Sequence, residues 1–132
     1  IRDILQSVRT IALLGASLKP ERPSNGVMKF LLDRGYHVIP VNPGQVGKTI
    51  HGQQVVAELA DINEPIDMVD VFRASYSLPG IVDEILALKH RPAVLWTQLD
   101  VVHEEAAKKA AEAGLKVVMD RCPAIEYPRL IG

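Results

Sequence analysis

The sequence holds a single cysteine, Cys122, so no disulfide can close within the chain and no Cys-rich zinc set can be assembled. A reducing compartment suits such a chain, and nothing in it points to secretion. Charge of one sign is also missing. Fifteen Lys and Arg against sixteen Asp and Glu leave a net charge of −1. A nucleic-acid binder that works through a general basic face would be strongly positive, so that class is excluded, although a local cationic pocket is not. Long apolar runs are absent too, and none approaches the ~20 residues that a membrane-spanning helix needs. The first ten residues, IRDILQSVRT, interleave charges with apolar residues and contain no signal-peptide core. These absences predict a cytoplasmic protein whose partners are neither membranes nor nucleic acid. No staple is required either, because a chain of 132 residues buries roughly two-thirds of its unfolded surface on folding.

What the sequence does contain is alternation. Short apolar runs at Thr10–Leu14 (TIALL), His37–Val41 (HVIPV), Met68–Phe72 (MVDVF), Ala93–Thr97 (AVLWT) and Leu115–Met119 (LKVVM) have the length of buried strands. Pro40 marks the second as ending there or lying at a sheet edge. Helical patterns stand between them. Over Asn25–Arg34, Val27, Phe30 and Leu31 fall at i, i+3, i+4, with Ser24 as the expected N-cap and Gly35 as the terminating glycine. Pro79–Leu88 carries Ile81, Val82, Ile85, Leu86 and Leu88. His103–Ala113 is alanine-rich, ends at Gly114, and spaces Glu104–Lys108 and Glu105–Lys109 for ion pairs. Val55–Ile62 reads as one or two helical turns, Asn42–Thr49 as a Gly/Pro loop and Asp120–Gly132 as an irregular tail. Strands separated by helical crossovers make a parallel sheet covered on both faces. The expected fold is therefore α/β: one domain, residues 1–132, with a Rossmann-like doubly wound parallel sheet of about five strands.

Sheets of this kind bind ligands beyond the carboxyl ends of their strands. The first strand ends at Leu14, which puts Gly15-Ala16-Ser17 at such a place. Gly15 can adopt backbone angles other residues avoid, and the two small residues let a ligand approach the main chain. Free N–H groups and the dipole of the following helix favour an anion. Ser17 and Ser24 add hydroxyls, and Lys19 and Arg22 add positive charge.

The loop lacks the three glycines of a dinucleotide fingerprint, and the second strand closes on Val41-Asn42-Pro43 without a carboxylate for a ribose. Asp33 has about the right sequence distance but lies within the preceding helix. A phosphorylated ribose fits better, because Lys19, Arg22, Lys48 and Arg73 are all near predicted strand ends. By charge alone, the 3′-phospho-ADP group of coenzyme A and that of NADP are not separated.

The stretches GASLKPERPSNGVMKFLLDRGYHVIPVNP, IDMVDVFR and AVLWTQLDVVHEEAAKKAAEAGLKVVMDRCPAIEYPRL resemble the stand-alone CoA-binding domain family, which is similar to the N-terminal domain of the succinyl-CoA synthetase α-subunit. The resemblance runs from about Thr10 to Leu130. It implies a Rossmann-type fold that binds coenzyme A or an acyl-CoA through the 3′-phospho-ADP and pyrophosphate, with no established reaction for free-standing members. Carried over by position, it implies that Gly15, Ala16 and Ser17 form the phosphate-side turn, with Arg22 and Ser24 beside it. Val41, Asn42 and Pro43 match the loop at the adenosine end. Phe72 and Arg73 match the turn after the third strand, and Trp96, Thr97 and Gln98 the end of the fourth. One departure stands out: Asp100 occupies a place where the family usually has glycine, and adds negative charge near an anion site.

The remaining chemistry-bearing residues read more plainly. Cys122 falls just past the fifth strand, and a small buried hydrophobe is the simpler account of it than a nucleophile activated by Arg121. His37, His51, His90 and His103 form no metal-ligand spacing. Asp70 alternates with apolar residues in a strand and is expected to be an end-of-strand or a buried, hydrogen-bonded acid rather than a general acid or base. Trp96 is expected in the core or at the ligand. The sequence thus points to a ligand-binding protein rather than an enzyme, with an unidentified protein partner left open. An NADP-dependent oxidoreductase or a partner-dependent acyl-CoA enzyme is the alternative.

Overall fold

A computed structural model describes residues 1–132. The elements run in the order α1 (Arg2–Ser7), β1 (Thr10–Leu14), α2 (Pro23–Asp33), β2 (His37–Val41), β3 (Thr49–Ile50), β4 (Gln53–Gln54), β5 (Met68–Val71), α3 (Leu78–Leu86), β6 (Val94–Thr97), α4 (Glu104–Glu112), β7 (Lys116–Val118) and α5 (Pro123–Leu130). Five strands form one parallel sheet in the order β2-β1-β5-β6-β7, and β3 and β4 make a separate hairpin. This is the doubly wound α/β arrangement expected from the alternation. Its winding reverses between β1 and β5, which is where such sheets open a crevice.

The two faces are covered separately. Ile11, Leu13, Met68 and Trp96 pack with Ile4 and Leu5 of α1, with Val27, Met28 and Leu31 of α2, and with Tyr127 of α5. Ala12, Leu14, Val69, Val71 and Leu95 pack with Leu78, Ile81, Val82 and Ile85 of α3 and with Ala106 and Ala110 of α4. Burial on both faces is why these strands read as continuous apolar runs.

Pro40 sits in β2 at the sheet edge, as its missing N–H requires. Its carbonyl faces outward and accepts from Val56 N–H at 3.1 Å, while Asn42 N–H donates to Val56 O at 2.9 Å. The segment read as helical turns over 55–62 is therefore corrected. Its β-branched valines extend along β2, with Val56 bridged to Val41, and only Leu59–Asp61 makes a single helical turn. The hairpin before it turns on His51 and Gly52, both with positive φ (49° and 81°), as a tight two-residue turn needs.

Three other expectations are corrected. The helix after the first loop starts at Pro23 with Arg22 as N-cap, so Ser24 lies inside the first turn and is buried. Proline is preorganised for the first helical position and moves the start forward. The tail is not irregular. Pro123 opens α5, and Pro128 lies inside it. Tyr127 of that helix packs edge-on against Phe30 and Tyr36, at centroid separations of 5.9 and 6.3 Å. Finally, the lysines of α4 turn away from Glu104 and Glu105: Lys109 pairs with Asp83 of α3 at 2.5 Å and Lys108 with Glu112 at 3.8 Å.

Candidate functional site

The crevice starts at Gly15. Its φ is +85°, and a Cβ built there would lie 2.1 Å from the carbonyl oxygen of Phe72. No side chain fits that gap. The chains around it are tied by backbone hydrogen bonds: Gly15 N–H donates to Val41 O (3.0 Å) and Phe72 N–H to Leu14 O (2.8 Å). The carboxyl ends of β2, β1 and β5 thus converge on one turn.

Side chains hold the turn open from outside. Asn42 Nδ2 donates to Ala16 O (2.8 Å), while its Oδ1 accepts from Gly44 N–H (2.9 Å). Asn25, in the first turn of α2, donates from Nδ2 to Ser17 O (2.9 Å). His51 Nε2 meets Asn25 O at 3.0 Å and Asn25 Oδ1 at 2.9 Å. Both partners are acceptors, so Nε2 carries the hydrogen. Beyond the turn, α2 begins with no side-chain cap and no acidic residue in its first turn. Pro23 has no N–H and Asn25 N–H donates to Arg22 O (3.0 Å), so the Ser24 N–H and the helix dipole are what this start offers the crevice.

That crevice has a volume of about 800 Å³, within the range of small-molecule sites. Gly15, Ala16 and Ser17 line it, as do Lys19, Arg22 and Ser24 on the approach to α2. Asn42 enters from β2, Phe72 and Arg73 from β5, and Gln98 from β6. Four other residues singled out in the sequence do not line the crevice. Trp96 is fully buried, its Nε1–H donating to Arg121 O at 2.7 Å. Thr97 is fully buried, with Oγ1 donating to Val101 O (2.7 Å) and accepting from Asp120 N–H (3.0 Å). Val41 lies in the core and acts through its carbonyl. Pro43 is exposed in the single helical turn that follows β2.

Electrostatically the crevice is lopsided. Lys19, Arg22 and Arg73 all line it, and none is within 4.0 Å of a carboxylate. Its one lining acid is Asp100. An anion is the natural complement of three unpaired cations and a bare helix start.

Sequence reasoning missed Pro23, Gln45, Leu99 and Val101 as lining residues, and did not include Asp100 among them. Loop 98–101 turns back over the strand ends because Asp100 adopts a left-handed conformation (φ +68°). Asp100 N–H donates to Asp120 Oδ1 (2.7 Å), and Asp120 is itself left-handed at φ +62°. Ser75 Oγ donates to Asp100 O (3.1 Å) and accepts from Val102 N–H (2.8 Å). The family's glycine at this place was the available signal. Cys122 is buried in the α1/α2/α5 layer and does not line the crevice.

Asp70, one residue before the end of β5, is wholly buried, and neither carboxyl oxygen has a hydrogen-bond partner. Asp70 is thus buried near a strand end, as expected, but the hydrogen bonds expected of a buried acid are absent. Burial pushes its carboxyl well above the usual carboxylate range.

A doubly wound sheet with a cation-lined crevice at its switch point defines a class: α/β domains that open a ligand crevice beyond the carboxyl ends of their strands. Residues 9–128 match the family model for the CoA binding domain, and the chain belongs to that family. YneT of Bacillus subtilis, an uncharacterised protein, is 42% identical over 122 residues, covering 92% of this chain and 87% of YneT. The solved ID.343 protein from Thermus thermophilus superposes with a TM-score of 0.93 at 42% identity, covering 98% of this chain and 96% of that one. A hypothetical protein from Pyrococcus horikoshii gives 0.91 at 41%, covering 99% and 89%. A dinucleotide-forming acetyl-coenzyme A synthetase from Ca. Korarchaeum cryptofilum shares the fold (TM-score 0.66, 20% identity), with 82% of this chain matching 25% of that one.

Proposed function

We propose that this domain, residues 1–132, binds coenzyme A or an acyl-CoA across the crevice. The observation that carries the reading is the start of α2. It is uncapped, free of acidic residues and flanked by unpaired Lys19, Arg22 and Arg73. In this reading the pyrophosphate rests on the Gly15–Ser17 turn and on the Ser24 N–H at the start of α2. Lys19, Arg22 and Arg73 neutralise the phosphates, the 3′-phosphate included. Asn42, the residue of the Val41–Pro43 segment that lines the crevice, walls the adenosine and fixes the path of both strand ends. Membership of the CoA binding domain family supports the choice of coenzyme A over NADP. The pantetheine arm then runs towards Gln98 at the end of β6.

The test is a thermal-shift titration with CoA, 3′-dephospho-CoA, acetyl-CoA, NAD and NADP. A ligand at one hundred times its Kd stabilises by about 2.7 kcal/mol, a rise of several degrees. CoA is expected to give that rise, and dephospho-CoA a smaller one. A rise with NADP alone moves the protein to the oxidoreductase class, and no rise with any of them overturns the reading.

A further inference from the structure

Buried side-chain oxygens without a hydrogen-bond partner are Gln45 Oε1, both oxygens of Asp70 and Gln98 Oε1. The last three are neighbours by register. Asp70 stands opposite Trp96 in the β5–β6 pair. The ladder runs on past β6, with Gln98 N–H donating to Val71 O at 3.2 Å. Side chains alternate along a strand, so Trp96 and Gln98 share the face of Asp70. Gln98 is thus the diagonal neighbour of Asp70, a spacing that a long side chain bridges. Gln98 also lines the crevice while only 7% exposed. Three buried acceptors in one place need a donor, and the one group among them that can become a donor is the carboxyl, by holding a proton.

We infer that Asp70 is a positioning residue for the crevice: its protonated carboxyl donates to Gln98 Oε1 and so fixes the amide with Nε2–H₂ towards an acceptor oxygen of the bound ligand. This rests on the reading of the crevice given above and names the polar group it offers at the β6 end. Removing the proton reverses the pair. Ionised Asp70 accepts from Nε2, the amide turns over, and the crevice shows an oxygen where it had shown a donor. By linkage, a ligand that prefers the donor strengthens the hold on the proton. The other ionisable groups of this layer are Cys122, Tyr36 and Tyr127, Glu126 paired to Arg121 and Arg129, Arg34 over the rings of Phe30 and Tyr127, and His51 on Asn25 of α2. On the crevice side the charges are Lys19, Arg22, Arg73 and Asp100. A Cys122→Ala background removes the thiol from the measurement.

The experiment is a double-mutant cycle on CoA affinity, by calorimetry at neutral pH. Asp70→Val is expected to lose about threefold to tenfold, the worth of one neutral hydrogen bond. Asp70→Asn keeps a donor for Gln98 and should hold the wild-type affinity. Gln98→Met loses a similar factor, and Asp70→Val then costs nothing further in that background. Equal losses in both backgrounds, no loss in Asp70→Val, or a weakened Asp70→Asn overturns the inference. Should Asp70→Val fail to fold, Gln98→Met is measured in the Asp70→Asn background, where it is expected to lose about the same threefold to tenfold. Unchanged affinity there overturns the inference. The same cycle read on ligand-free melting temperatures separates the pair from the ligand. Coupling there without any CoA binding overturns the proposed function alone, and additivity there overturns the pair.

Discussion

The two walls of the crevice are built on different principles. The β1–α2 wall is local: one glycine, two small residues and a proline-started helix make it within ten residues of chain. The β6 wall is assembled from afar. Loop 98–102 keeps its path because Ser75 and Asp120, 25 and 20 residues away from Asp100, tie its backbone. The first wall is shaped by what the backbone cannot do otherwise. The second is held in a conformation that its own residues do not favour, since Asp100 and Asp120 both sit at positive φ without being glycine. A wall of the first kind fails outright when it is altered. A wall of the second kind can be tuned.

Gly15→Val should break the first wall most severely. The added side chain starts 2.1 Å from a backbone oxygen, at φ +85°. A destabilisation of about 3 kcal/mol or more follows, lowering Tm by about 10 °C or leaving the protein unfolded. Differential scanning calorimetry measures it. Arg22→Glu alters the same wall without touching its backbone. Arg22 is exposed, and an acid at a helix start is tolerated, so Tm should stay within about 2 °C. CoA affinity should fall by at least about tenfold, because a charge-assisted contact is replaced by repulsion. Retained affinity removes Arg22 from the site.

This contrast also decides what could be read in the sequence. The strand–glycine–helix pattern around Gly15 is a short-range signal, and the chain alternation that gives the sheet is equally local. Trp96 and Thr97 came forward by resemblance, and they stand behind the wall because their strand is buried on both faces. Leu99 and Val101 gave no signal, since their exposure to the crevice depends on hydrogen bonds to Ser75, Thr97 and Asp120 that no spacing reveals. In α5 two prolines disguised a helix whose Tyr127 closes an aromatic cluster with Phe30 and Tyr36.

Asp70 lies between the walls, and pH tests it. Its carboxyl is raised by burial, so above the ordinary carboxylate range the native state keeps a proton that the unfolded chain has released. The stabilisation is full below the unfolded value near pH 4 and is lost as pH rises towards the folded value. Asp70→Asn removes the ionisable group at nearly constant volume. Melting temperatures from pH 5 to pH 9 should fall less steeply in Asp70→Asn than in the wild type. Parallel curves would mean that Asp70 does not carry this proton.

The smallest expected effect sharpens the comparison most. Asp100→Gly relieves the left-handed strain of the β6 wall while keeping the backbone N–H that Asp120 binds. Glycine also gains freedom in the unfolded chain, which offsets part of the relief, so the net gain is about 0.5 kcal/mol, roughly 2 °C in Tm. The change also removes the one acid that lines the crevice. Because Asp100 is exposed and its field is screened, CoA affinity should rise only about twofold to threefold. Asp100→Asn separates the two causes, since asparagine tolerates the left-handed region but carries no charge. It should reproduce the gain in affinity without the gain in stability. If both variants raise Tm and neither raises affinity, the β6 wall is a strained support that never meets the ligand's phosphates, and the anion site ends at Arg73.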